Sequence, residues 1–346
     1  MKYRLLGKTG FKVSEVGFGT WQLANDPNSW VGSDINISLQ CLKDYVEKGG
    51  NFIDTAWIYG FSDDKPNNHP SEQLVGKFLK ESGKNNIIVA TKIPPKNMNW
   101  PALKGSSISQ VFSREHIKQC IDDSLRSLGL EQIDLMQFHV WQDNWADENE
   151  WKDTIGEILL SGKVKFFGIS VNDYQPSNCL KTLDTGLIST IQFIFNIFHQ
   201  KPIEKLFPSA KKHNIGLIAR VPLDEGGLSG KYTNQSSFPS EDLRNTYFAG
   251  ERLLELVKRT TELKKLLGLE VHSLPEMALR YILSFEEIST VIPGMRKIYQ
   301  VEENLKASDL GKLSDHLLHE LKNHAWERNF YSEPDPAMKD TQYIEE

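Results

Sequence analysis

Four polar residues, Asp54, Tyr59, Lys92 and His139, stand at or just beyond the C-terminal ends of three apolar runs: NFIDTAWIYG (51–60), NIIVATKIP (86–94) and IDLMQFHVW (133–141). Each can move or steer a proton, and a strand buried in a core has no need of such an ending. A lysine buried alone would bear a large desolvation cost, so Lys92 requires a nearby carboxylate, and Asp54 stands at the matching height on the preceding strand. A charged Lys92 beside the Tyr59 hydroxyl would favour the phenolate and draw the tyrosine pKa down from its ordinary value of about 10. Tyr59 would then be a proton donor near neutral pH. His139 could orient or polarise a carbonyl oxygen as negative charge develops on it. A lone histidine after an apolar run also fits a satisfied core residue; the agreement of four strand-end positions favours chemistry.

Positioning these groups falls to a regular alternation of elements. Short β-type runs occur at 16–21, 51–57, 86–93, 133–140, 164–170, 190–196, 215–221 and 289–294, separated by amphipathic segments with apolar residues at helical spacing. Ser113 is placed to cap the helix over SREHIKQCIDDSLRSLGL and Gly129 to stop it. Eight such βα units predict an α/β fold closed into a (β/α)8 TIM barrel, because a doubly wound open sheet usually has fewer strands. An N-terminal hairpin, YRLLGKTGFKVSE, should precede the barrel, and an extra helix over 314–330 should follow it. Residues 1–330 thus read as one domain and 331–346 as a C-terminal tail. Three long stretches, 61–70, 94–110 and 222–240, follow strands and would crown the C-terminal face, where barrels build their sites.

Bulk properties narrow the partners. With 39% hydrophobic and 25% charged residues in 346, the chain has the composition of a globular protein with a sizeable core. A net charge of −6 gives no general attraction to nucleic acid or anionic membranes. The charged N-terminus and the lack of any long apolar run make a cytoplasmic location the expectation. Cys41, Cys120 and Cys179 form neither a disulfide framework nor a metal-ligand spacing, and no strand-end cluster suits a metal. GFGTWQ (17–22) and GGLSGKY (226–232) fail as dinucleotide and phosphate-loop signatures.

GGNFIDTAWIYG, VATKIP, LMQFHVW and IPGMRKIYQVEENL closely resemble the signature segments of the aldo-keto reductases, and the resemblance extends over about residues 3 to 310. It implies a catalytic tetrad of Asp54, Tyr59, Lys92 and His139, reduction of an aldehyde or ketone by hydride transfer from NADPH, and a nicotinamide cofactor held without a Rossmann fold. By the same resemblance Thr20, Trp21 and Asp54 border the cofactor, while Ser170, Asn172 and Gln192 hold its carboxamide. Strand-end polar groups that merely cap loops would look similar, more so for Asn172 than for Gln192 in its apolar run. Pro222, Leu223, Gly227 and Lys231 belong to the loop that closes over the pyrophosphate. Gly294 and Arg296 lie at a predicted helix start suited to anions, and Gln300, Glu303 and Asn304 share a face of that helix available to adenosine. Arg296 argues for the 2′-phosphate of NADPH.

Two departures accompany the resemblance. Arg220 stands where many relatives place an aromatic ring against the nicotinamide, and an arginine plane can stack there too. Phe195 replaces a frequent tyrosine, a change that reads as packing. Trp21, Trp57, Tyr59, His139 and Trp141 are expected to surround the substrate, with Trp145 equally compatible with rim packing. A nicotinamide-binding regulatory or redox-sensor subunit with little turnover is the alternative that the family leaves open.

Overall fold

The computed structural model describes residues 1–25, 29–83 and 86–331. An antiparallel hairpin of β1 (Tyr3–Leu5) and β2 (Lys12–Ser14) comes first. Eight parallel strands follow: β3 (Phe18–Gly19), β4 (Phe52–Asp54), β5 (Ile88–Ile93), β6 (Ile133–Phe138), β7 (Val164–Ser170), β8 (Thr190–Ile194), β9 (Gly216–Arg220) and β10 (Ile288–Val291). They pair strictly in chain order from β3 to β10. Parallel bridges Val16 to Val291 and Gly19 to Gly294 join the two ends, with Gly17 N–H donating to Val291 O at 2.8 Å and Val291 N–H to Glu15 O at 2.9 Å. The sheet therefore closes into the expected (β/α)8 barrel.

Nearly continuous apolar runs suit these strands because the barrel core covers one face and the helix layer the other. Several are shorter than their apolar runs suggest: β4 pairs only over Phe52–Asp54 and β3 only over Phe18–Gly19. Asp54 and Lys92 lie in the last paired positions or one before them, and Tyr59 and His139 follow beyond the ladder at the C-terminal rim. The hairpin closes the opposite end, with Leu6 and Val13 packed against Phe52, Ala90, Leu135 and Ile218. Arg4 fastens it there, donating to the carbonyls of Leu283, Phe285 and Ile288.

The outer layer includes helices Ile35–Glu47, Pro70–Ser82, Arg114–Leu128 and Leu206–His213. Ser113 Oγ accepts from His116 N–H, and Gly129 ends that helix in a left-handed turn at φ 66°. The three cysteines are buried and free, and Phe195 packs among Phe193, Phe207, Tyr281 and Phe285. The helix expected over 314–330 covers only Asp315–Lys322. Beyond it the chain returns over the C-terminal rim, where Trp326 N–H donates to Phe198 O at 2.8 Å. The predicted tail lies, from residue 332 on, outside the described residues. Among the described residues no helix is long and apolar enough to cross a membrane.

One charge is built into the wall behind the site. Glu72, in the first turn of Pro70–Ser82, is fully buried and accepts from Thr91 Oγ1 at 2.6 Å. Burial raises its pKa to about 7, against the opposing pull of that hydrogen bond. A carboxyl whose folded pKa exceeds its unfolded one favours folding at low pH and loses that contribution as pH rises through the folded value. Glu72→Gln should therefore be more stable than the wild type at pH 8, by about 2 kcal/mol, and should lose this advantage at pH 5. Urea unfolding at the two pH values checks it; a wild-type-minus-variant difference that is independent of pH would contradict it.

Candidate active site

Because β4, β5 and β6 are neighbours in register, Asp54 pairs with Ala90, and Lys92 with Gln137. The side chains of Asp54 and Lys92 meet inside the barrel, 2% and 0% exposed. Lys92 Nζ donates to Asp54 Oδ1 at 2.5 Å, to Thr55 O at 2.7 Å and to the Tyr59 hydroxyl at 3.3 Å. These three acceptors satisfy all three of its protons. Gln192 Nε2 donates to the other oxygen, Asp54 Oδ2, at 2.7 Å, with Gln137 Nε2 more distant at 3.4 Å. Burial opposes the charge on Lys92, but Asp54 and Tyr59 outweigh it and hold the pKa above its ordinary value.

Tyr59 behaves differently from the sequence expectation. Its hydroxyl is pushed above the usual value, not below it, because burial is the largest influence and Lys92 only partly offsets it while Asp54 adds to it. The phenol is thus protonated at neutral pH, the form a proton donor must have. Trp21 stacks on the Tyr59 ring, with centroids 5.8 Å apart, and His139 meets it edge-on at 5.7 Å. Burial, reinforced by Lys92 and Arg220, drives the His139 pKa well below its ordinary value, so the imidazole is neutral. A neutral imidazole offers one N–H to an oxygen without competing as an acid.

The group sits at the base of a cavity of about 1280 Å³ that runs along the C-terminal rim. Thr20, Trp21, Asp54, Tyr59, His139, Asn172, Gln192, Arg220, Pro222, Leu223, Lys231, Gly294, Arg296 and Gln300 all line it. Arg220 Nη2 donates to Asp173 Oδ1 at 2.8 Å and to Val171 O at 3.0 Å, which fixes the guanidinium plane. Gln300 Oε1 accepts from the backbone N–H groups of Arg296 and Lys297. Gly294 lies against the end of the Gln22 side chain, which would have to move for a Cβ there, since that atom would fall 2.1 Å from Gln22 Oε1. Ser170, Gly227, Glu303 and Asn304 do not reach the wall; Ser170, Gly227 and Asn304 are buried beside it and Glu303 faces solvent.

The tryptophans are redistributed relative to the sequence expectation. Trp57 packs against His69 and Phe61, and Trp141 lies among Phe138, Trp145 and Trp151, its Nε1 donating to Thr182 Oγ1 at 2.8 Å. Both belong to the helix layer and not to the cavity. Trp145 is buried with them, donating to Ser106 O. Trp100, in the long stretch after β5, takes the position at the mouth, edge-on to His139 at 4.8 Å. Asn329 and Tyr331 join it from the C-terminal segment.

At the far end two guanidiniums converge on one ring: those of Arg244 and Arg296 lie 4.6 and 5.9 Å from the Trp30 centroid. Asp242 binds Arg244 through both oxygens, at 2.6 and 2.7 Å. Burial and then Arg244 lower the pKa of Arg296, with Asp242 compensating only in part. An anion held between these cations would relieve that cost. No spacing in the sequence marks Arg244, which reaches the site at the end of a long connection.

A family model, the Aldo/keto reductase family, matches residues 15–325. Among curated relatives, an aldo-keto reductase of Bacillus subtilis (strain 168), YhdN, is 30% identical over 306 residues, covering 87% of each chain. The NADH-specific methylglyoxal reductase of Escherichia coli (strain K12) is 27% identical, covering 91% of this chain and 95% of its own. Among solved structures, the glycerol dehydrogenase AKR11B4 from Gluconobacter oxydans superposes with a TM-score of 0.73 at 26% identity, covering 93% and 94% of the two chains.

The ion pair at the cavity base makes a direct prediction. Removing one partner of a buried pair leaves an uncompensated charge, so Lys92→Met should cost about 3–5 kcal/mol in urea unfolding. The double variant Lys92→Met/Asp54→Asn should recover at least half of that loss. A cost for the single variant below about 1 kcal/mol, the range of exposed pairs, would contradict this picture.

Proposed function

The chain belongs to the aldo/keto reductase family, and from that premise we propose that it reduces an aldehyde or ketone to an alcohol with NADPH, Tyr59 acting as the general acid. As a family member it is an NAD(P)-dependent oxidoreductase acting on small carbonyl substrates and their alcohols. The observation that carries the finer reading is the sharing of Lys92 Nζ among Asp54, Thr55 and the Tyr59 hydroxyl. A bound nicotinamide would supply the hydride. Everything else asked of the site is proton chemistry and placement.

Tyr59 presents a proton at the cavity base, and the phenolate left when it departs forms beside a cation that Asp54 keeps charged. Desolvation strengthens that stabilisation relative to water. His139 directs its N–H to the same carbonyl oxygen and fixes its position between the two donors. Trp21 and Trp100 enclose the remainder of the substrate and restrict water.

The cavity fits a dinucleotide in chemistry as well as extent. Gln192 and Asn172 offer amide groups at the tetrad end, Arg220 a stacking plane, and Lys231, Gly294 and Gln300 the middle and far wall. Preference between cofactors varies among relatives, one being named NADH-specific, so the choice must rest on particular residues. The converging Arg244 and Arg296 support a 2′-phosphate and hence NADPH.

NADPH consumption over a panel of carbonyls tests the reading. Tyr59→Phe should lower turnover about a thousandfold, within the usual span of general acid catalysis, while NADPH still quenches tryptophan fluorescence. Undiminished turnover in Tyr59→Phe would sink the assignment, and tight NADPH binding without turnover of any carbonyl would favour a regulatory subunit. For the cofactor, Arg244→Leu and Arg296→Leu should each weaken NADPH about 10- to 100-fold and leave NADH nearly unchanged. An equal loss for both dinucleotides would remove the 2′-phosphate role.

A further inference from the structure

The turn after β9 combines backbone strain with buried charge. Val221, Asp224 and Glu225 adopt φ of 53°, 53° and 49°, a region that β-branched and other non-glycine side chains disfavour. Asp224 is fully buried and Glu225 is 5% exposed, yet neither takes part in the proton chemistry. Within the turn Asp224 N–H donates to Val221 O at 3.2 Å, Gly227 N–H to Asp224 O at 2.8 Å and Leu228 N–H to Leu223 O at 3.0 Å. Pro222, Leu223, Glu225 and Gly226, all on this turn, face the cavity.

Side chains from the far end of the chain add to these bonds. Arg328, 2% exposed, donates from Nη2 to Asp224 Oδ1 at 2.6 Å and from Nη1 to the hydroxyls of Tyr174 and Tyr247 at 3.1 and 3.2 Å. Tyr247 also donates to Asp224 Oδ1, at 2.8 Å. Rings of Trp326, Phe330 and Phe198 enclose the guanidinium, with centroids 4.2, 4.5 and 5.3 Å away. Three residues further on, with Phe330 packed between, the Tyr331 hydroxyl donates to Glu225 Oε1. A buried ion pair generally stabilises a fold no better than an apolar filling would. It is, however, directional: a planar guanidinium with fixed donors holds its carboxylate in one orientation.

We propose that Arg328 is a positioning residue for the cofactor: its ion pair with Asp224, assisted by Tyr331 on Glu225, holds the left-handed turn 221–226 in the shape that closes on the dinucleotide. The proposal rests on the nicotinamide reading of the cavity given above. Linkage makes the effect reciprocal, so a cofactor that requires this turn must tighten the 326–331 segment by the same factor by which the segment tightens the cofactor.

The experiment uses the full chain, with NADPH as the probe. It compares the wild type with Arg328→Met, Arg328→Lys and Tyr331→Phe in NADPH release by stopped-flow fluorescence and in hydrogen exchange of residues 326–331 with and without NADPH. NADPH should slow exchange of 326–331 in the wild type. Arg328→Met should release NADPH about tenfold faster, within the range usual for coupled sites, and lose that protection. Arg328→Lys, which keeps the charge but not the fork, should fall between. Tyr331→Phe removes one hydroxyl and keeps the ring, should fold, and should speed release severalfold, so it carries the test if Arg328→Met does not fold. A purely structural Arg328 would lower the melting temperature with NADPH release unchanged in the folded variants, and that result overturns the proposal alone. A wild type that binds no NADPH overturns the cofactor reading and this proposal with it.

Discussion

A lysine ammonium with no solvent exposure sits at the centre of a barrel, and the rest of the site is arranged around its cost. Asp54 answers the charge and the Thr55 carbonyl takes a second proton of the amine, which leaves the third for Tyr59. Asp54 in turn needs donors for its second oxygen, and Gln192 supplies one from the other side of the barrel. The same glutamine lines the cavity where a nicotinamide is proposed, so the group that steadies the proton machinery also borders the hydride side. Parallel register makes this possible, because strands of equal height bring residues from distant parts of the chain to one level.

The tyrosine shows how two real effects can be ranked wrongly from sequence. Lys92 does lower the cost of ionising Tyr59, as its proximity predicts, but burial acts on the same hydroxyl more strongly and in the opposite direction. Adjacency along strands is visible in a sequence; the depth of a pocket is not. The consequence for chemistry is mild, since a donor must be protonated before it acts. In the proposed chemistry Lys92 would then matter for the phenolate that remains afterwards.

Much of the barrel was legible because closed parallel sheets bury both faces of every strand, and their apolar runs stand out. The cluster of Asp54, Tyr59, Lys92 and His139 was legible for the complementary reason, as polarity where a core strand would have none. The tryptophans were not. His139 and Trp141 are two apart and would share a face of a strand, but β6 ends at Phe138, so alternation no longer applies and Trp141 turns into the helix layer. Trp100, Arg244 and Tyr331 reach the cavity through long connections whose path no periodicity records. The extra C-terminal helix stops at Lys322 because residues beyond it carry aromatic rings and Arg328 to the rim, where burial against Phe198, Asp224 and Tyr247 outweighs helical continuation.

The proposed carbonyl reduction requires that the proton delivered to substrate come from Tyr59 in its protonated form. The pH dependence of single-turnover carbonyl reduction measures that most directly. The rate should stay level from roughly pH 6 to 8, fall at alkaline pH as the phenol ionises, and lose that falling limb in Tyr59→Phe. An identical limb in Tyr59→Phe, or a wild-type rate that rises as the phenol ionises, would contradict it.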